Sequence, residues 1–349
     1  MRFSAILLAF LASSGLGQQA KPDVARMDQV VLAFTNAKQF MGSVLVAREG
    51  DLLFDKSYGM ANLEWGVPNT PTTKFRIGSL TKQFTAAAIM LLEERGRLRT
   101  DDPIKKHLPD APAAWDKVTI FHVLTHTGGI PSFTSFPDYR QKSLAPMSAE
   151  QLVAWFKDRP LEFEPGTKFS YSNSDYVLLA YLIEKLTGET YEKFLQQNIF
   201  TPLGMKDSGY DSNTAIIEHR AAGYSPGPAG PVNAGYVNMT VPSGAGALYS
   251  TTHDLLKWEQ GLFAGKLLTP ESLAKMTTPF KNNYGFGLVV RTTDGIKSIW
   301  HNGGIQGFNA SLAYYPDSRI TVAVLSNLNG VAPDAIVFKL GAVANEQAR

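Results

Sequence analysis

The sequence predicts a mixed α/β fold: an antiparallel sheet flanked by N- and C-terminal helices and carrying a large, mostly helical insert. Three observations predict it. Segments rich in Val, Leu and aromatics stand near the start, at residues 42–48 and 52–58. Strand-like segments return only in the tail, at 285–291, 296–300, 310–315 and 320–326, and between about 79 and 259 the chain reads as helices joined by Pro/Gly-rich loops. The expected organisation is one unit, 18–349, with a sheet part (about 18–78 and 260–349) around a helical part (about 79–259).

Residues 1–17 read Met1-Arg2, an apolar run from Phe3 to Leu11, then small residues to Gly17. That is the pattern of a secretory signal cleaved after Gly17. Its apolar run is far shorter than the roughly 20 residues a membrane span requires. The expectation is a secreted or periplasmic protein with no stable membrane span after cleavage. Residues 23–37 place Val24, Met27, Val30, Val31 and Phe34 at helical spacing. Next, Glu49-Gly50-Asp51 joins the first two strands as a hairpin. A helix is expected over 79–95, with Leu80, Phe84, Ala87, Ala88, Leu91 and Leu92 on one stripe and Gly96 closing it. Another is expected from about 175 to 186, stopped by Gly188, and a last one from about 332. The stretch 226–235 reads as a surface loop.

Of 349 residues, 44% are hydrophobic and 18% charged, which suits a globular chain with a large core. The absence of Cys excludes disulfides and thiolate chemistry. A formal net charge of +2, with no run of five Lys/Arg, gives no footprint for nucleic acid. No cofactor is expected.

Serine needs a base within hydrogen-bond reach to act as a nucleophile. In Gly78-Ser79-Leu80-Thr81-Lys82, positions i and i+3 of a helix put Ser79 and Lys82 on one face. Lysine becomes a base only if burial or a nearby cation lowers its pKa from about 10.4. Alone the spacing is weak, because Ser79 could equally be an N-cap and Ser272-Leu273-Ala274-Lys275 repeats it at an ordinary helix start. Order adds the specificity. Tyr171-Ser172-Asn173 follows a tight loop and precedes a strong helix, and Trp300-His301-Asn302-Gly303-Gly304 stands among the late strands.

Ser-x-x-Lys, then Tyr-x-Asn, then His-x-Gly resembles the serine β-lactamase and penicillin-binding superfamily. The likeness is to the branch with class C β-lactamases, D,D-peptidases, D-amino-acid peptidases and related esterases. Residues 124–129 (Leu-Thr-His-Thr-Gly-Gly) and 245–251, leading to Asp254 and Trp258, support it.

The resemblance implies a β-lactamase/transpeptidase-like fold. It implies Ser79 as nucleophile, Lys82 and Tyr171 as the proton shuttle, and Asn173, His301, Asn302 and Gly303 as substrate-binding or orienting residues. Ser79 and Gly304 would supply the amides of the oxyanion hole. His301 would donate a hydrogen bond, or lend positive charge, to the Tyr171 oxygen. It stands where many β-lactamases have Lys and, neutral near pH 7, would bind a substrate carboxylate weakly. The chain lacks a Glu-x-x-Leu-Asn segment for a deacylating water.

The expected partner is therefore a small-molecule or peptide substrate with an ester or amide bond. β-Lactams, or slow deacylation in a penicillin-binding or sensor protein, are the alternatives. Three look-alikes are set aside. Tyr236-Val237-Asn238 has no following helix, His126-Thr127-Gly128 reads as a helix stop, and His122 with His126, at i and i+4 on a short helix, lacks a third zinc ligand.

Overall fold

The structure, a computed structural model, describes residues 23–346. The expected signal sequence and its cleavage point lie outside them. Helix α1 (Val24–Asn36) starts at Asp23, whose carboxylate caps it by accepting the Arg26 N–H at 2.9 Å. Strands β1 (Gly42–Arg48) and β2 (Asp51–Tyr58) form the expected hairpin. Its two-residue loop has Glu49 at φ 53° and Gly50 at φ 99°, the left-handed backbone that a tight hairpin turn requires.

The helical insert contains α2 (Thr81–Glu94), α3 (Ile120–Leu124) and α4 (Asn173–Thr187), and α5 (Thr252–Phe263) leads back to the sheet. The tail supplies β3 (Val289–Thr293), β4 (Ile296–Ile305), β5 (Phe308–Tyr315), β6 (Ile320–Ser326) and α6 (Ala332–Glu346). The sheet is antiparallel throughout, in the order β3-β4-β5-β6-β1-β2. The first hairpin thus joins through the last strand, with Gly42 opposite Ser326 and Arg48 opposite Ile320.

Alternation along β1 sorts the two faces. Val44 and Val46 pack with Met27 and Val31 of α1 and Ile336 and Leu340 of α6. Leu45 and Ala47 point the other way, onto Leu256 of α5. Both faces of this central strand are covered, which is why it reads as a continuous apolar run.

Four expectations change. Helix α2 is buried all round from Thr81 to Leu92 rather than along one stripe, because it runs between α4, the short helix Ser243–Gly246 and the helix Pro270–Thr277. Strand β3 begins at Val289, not 285. Gly287, at φ 71°, turns the chain so closely past α2 that a Cβ there would fall 2.5 Å from the Lys82 carbonyl oxygen. Helix α4 starts two residues early, at Asn173, and ends as expected at left-handed Gly188. The 226–235 stretch is part of a small hairpin, with Tyr224–Ser225 pairing Val232–Asn233.

Glu259 of α5 is 3% exposed, its Oε2 has no partner, and burial raises its pKa well above the usual carboxylate value. Such a group binds more protons folded than unfolded between its two pKa values, so stability falls as pH rises through that window. Glu259→Gln is expected to raise stability at pH 8 by about 1–3 kcal/mol and to leave it unchanged at pH 4. Thermal melts at the two pH values check this, and equal gains at both would contradict it.

Candidate active site

Ser79 lies in a 3₁₀ turn, Gly78–Leu80, immediately before α2, and no side chain caps either element. The N-cap alternative therefore drops out. The Ser79 hydroxyl oxygen lies 3.1 Å from Lys82 Nζ and accepts the Tyr171 O–H at 2.8 Å. In the look-alike, by contrast, Thr269 is the N-cap for Ser272, and Lys275 reaches out to Glu93 at 3.2 Å. That pair is structural.

Lys82 is wholly buried. Burial holds its pKa well below that of an ordinary lysine, against the smaller opposite pull of Asp175. Its Nζ lies 2.9 Å from both Asn173 Oδ1 and the Ala245 carbonyl oxygen. Neither oxygen can donate. A neutral amine gives its two hydrogens to them and turns its lone pair to Ser79, whose hydroxyl then donates to Lys82 while accepting from Tyr171. Every member of the cluster is satisfied in that state. Asn173, on the first turn of α4, is held in turn by Nδ2–H donation to Thr134 Oγ1 at 3.1 Å and by its own N–H to Ser132 Oγ at 3.1 Å.

Tyr171 keeps 38% of its surface exposed, yet burial among its neighbours pushes its pKa up. A scaffold that sequence reasoning missed brackets it. The His126 carbonyl accepts the Ser170 N–H at 2.9 Å, and His126 Nδ1 lies 3.3 Å from the Ser172 N–H and 2.8 Å from Asp175 Oδ2. The His126 ring also packs 4.5 Å from the Tyr171 ring. Helix α3 ends at Leu124 and His126 sits beyond it at φ 56°, so His122 and His126 do not share a helix face. His122 instead completes the capping box of α3 with Thr119.

The late-strand residues depart from expectation. His301 is buried, and its Nδ1 lies 2.5 Å from the Asn302 carbonyl, which can only accept. The proton therefore sits on Nδ1, and Nε2 accepts the Tyr284 hydroxyl at 3.0 Å. The expected bond to the Tyr171 oxygen is not made. Burial, with a further push from the Lys82 charge, lowers the His301 pKa to about 4, so no positive charge stands here near neutrality. Asn302 faces the opposite side of the sheet, because successive strand residues alternate. Its Nδ2–H donates to Asp334 Oδ2 of α6 at 2.7 Å, away from Ser79. Asn302→Ala is expected to cost about 1 kcal/mol of stability and to change kcat/KM less than twofold, checked by melting and ester turnover.

Gly303 and Gly304 bring strand β4 against the Ser79 turn. A Cβ on Gly303 would collide with the Ile77 carbonyl oxygen and fall 2.9 Å from Ser79 N. A Cβ on Gly78, at φ 51°, would fall 2.8 Å from Gly304 N. Glycine is needed on both sides of this approach. Ser79 and Gly304 both line a cleft of about 400 Å³, together with Phe133, Thr134, Tyr139, Asn173, Val237, Pro242, Ala245, Gly246, Ile305, Gln306 and Asn329. No lining residue carries a formal charge. Among the described residues no cluster of His, Asp or Glu could hold a metal ion, and no helix is long and apolar enough to cross a membrane.

An antiparallel sheet with helices on both faces, split by a helical insert with the cleft at their junction, defines the class: a serine hydrolase of the β-lactamase/transpeptidase fold. The chain belongs to the Beta-lactamase family, whose model matches residues 29–344. It is similar to penicillin-binding protein 4* of Bacillus subtilis (strain 168), 33% identical over 312 residues that cover 83% of this chain and 68% of that one. Among solved structures it resembles the octameric penicillin-binding protein homologue from Pyrococcus abyssi (TM-score 0.81, 30% identity, 94% of this chain and 78% of that chain). It also resembles a D-stereospecific amidohydrolase from Streptomyces sp. (TM-score 0.79, 27% identity, 91% of this chain and 98% of that chain).

Proposed function

We propose that the protein is an exported hydrolase of ester or amide bonds that works through an acyl-enzyme on Ser79. One observation carries the reading: the buried Lys82 amine has acceptors for two hydrogens, leaving its lone pair for the Ser79 proton. Ser79 attacks the carbonyl carbon as Lys82 takes that proton. The oxyanion is held by the N–H groups of Ser79 and Gly304, each worth roughly 3–4 kcal/mol in the transition state. The proton passes by way of Tyr171 to the leaving oxygen or nitrogen as its bond to carbon breaks. Water then enters, and the same groups run in reverse to release the acid. Lys82, rather than a tyrosinate, is the acylation base in this reading, because burial lowers the lysine pKa and raises that of Tyr171.

The uncharged cleft lining and neutral His301 favour substrates without a carboxylate beside the scissile bond, so esters and neutral amides rank above β-lactams and free D,D-peptides. The D-stereospecific amidohydrolase neighbour supports the amide side. Export rests on the pattern of residues 1–17. The test is a parallel screen of nitrocefin, short acyl p-nitrophenyl esters and D-amino-acid amides on wild type and Ser79→Ala, with intact-mass readings. A transient adduct on wild type alone supports the hydrolase, an adduct lasting hours indicates a penicillin-binding role, and full activity in Ser79→Ala refutes the reading.

A further inference from the structure

Beside the cleft lies a second cavity of about 270 Å³, which shares Val237 and Gln306 with it. Unlike the cleft, it is charged. Arg76 and Arg220 both line it, and both are tied to one carboxylate: Arg76 Nε–H donates to Asp211 Oδ2, and Arg220 Nη1–H to Asp211 Oδ1, each at 2.5 Å. The Asp211 side chain is wholly buried, whereas those of Arg76 and Arg220 keep 14% and 25% of their surface exposed.

Two permanent cations on one anion leave a net charge of +1 at the cavity wall. Neighbouring Lys74 and Asp207 pair with each other at 3.2 Å and leave that balance unchanged. Donors remain free as well. Arg220 Nη1 also reaches the Ser212 carbonyl at 2.8 Å, but among the described residues nothing accepts from Nη1 and Nη2 of Arg76 or from Nε and Nη2 of Arg220. The Phe308 ring, which also lines the cavity, lies 5.8 Å from the Arg76 guanidinium carbon. One arginine would neutralise Asp211. A second, mostly buried and sharing that one carboxylate, costs stability unless a further anion meets it.

We propose that this cavity is an anion subsite of the same enzyme, taking a carboxylate that the substrate carries several bonds from its scissile carbonyl, beyond Val237 and Gln306. The forked guanidinium groups suit that planar anion. The substrate is then neutral at the bond that breaks and acidic at its far end. This rests on the Ser79 acyl-enzyme reading.

The test compares kcat/KM for matched p-nitrophenyl esters of six- and eight-carbon chains that end in methyl or in carboxylate. A second series places the same carboxylate on the phenol side. Wild type is expected to prefer the acidic member of one series by about tenfold at low salt, a preference that shrinks as salt screens the charge. Arg220→Gln should bring the ratio near one, while Arg220→Lys, which keeps the cation, retains part of it; thermal melts confirm that both variants are folded. A wild-type ratio at or below one in both series, or a ratio unmoved by Arg220→Gln, overturns the subsite. If Ser79→Ala still cleaves the esters, the acyl-enzyme reading has failed. If Ser79→Ala is inactive and the ratio is unmoved, only the subsite has.

Discussion

Ser79→Ala is expected to lower kcat/KM for p-nitrophenyl acyl esters by at least about 10⁴-fold while leaving the melting temperature nearly unchanged. The variant removes one oxygen from the edge of an open cleft. That oxygen accepts from Tyr171 and faces Lys82, but it caps no helix and supports no turn. What is lost is the atom that would form the acyl bond. The residual rate would come from backbone donors and binding alone, which act without a covalent intermediate. Stopped-flow turnover with intact-mass detection of the acylated chain checks the claim. A variant retaining a tenth of wild-type activity would move the nucleophile elsewhere.

Lys82→Met, similar in length and without a charge to bury, is expected to lower kcat by about 10²–10⁴-fold, the usual range for removing a general base. The pH profile is the sharper reading. A base works only when deprotonated, so wild-type kcat/KM should climb as pH rises through the lowered Lys82 pKa and level off below the range of an ordinary lysine. Tyr171, shifted upward by burial, adds no limb in that range, and His301, lowered to about 4, is already neutral there. The residual activity of Lys82→Met should lose the acid limb. If the limb survives unchanged in the variant, some other group is the base.

Much of the architecture was legible because the chain changes period where the fold changes layer. The hairpin at Glu49-Gly50, the stop at Gly188 and the strand Ile320–Ser326 are local decisions of backbone and burial. Ser79, Lys82, Tyr171 and Asn173 were legible as a set and meet in space at hydrogen-bond distances. The misreadings lie where a side chain's partner leaves no signal in the motif spacing, near or far in sequence. His301 stands beside the cluster, but its tautomer depends on Tyr284 and on the Asn302 carbonyl, which no spacing reveals. Strand parity alone separates Asn302 from His301, since adjacent strand residues face opposite sides. The Ala245 carbonyl is backbone and has no residue-type signature, and Asp211 lies 135 residues from Arg76. The all-round burial of α2 escaped because its polar positions, Thr81, Gln83 and Thr85, also lie inside the protein.

The closure of the first hairpin by the last strand sets the order in which this protein gains its chemistry. The Ser79 turn is synthesised early, but the glycines against which it rests are more than 220 positions later, and β1 has no partner on its inner edge until residue 326 is in place. Lys82 takes its partners from the insert, Asn173 and Ala245, but until the late strands dock no pair of amides faces a carbonyl at Ser79. Such long-range closure makes for slow assembly. The oxyanion site is therefore completed only when the late strands are in place, although the nucleophile is among the first residues made.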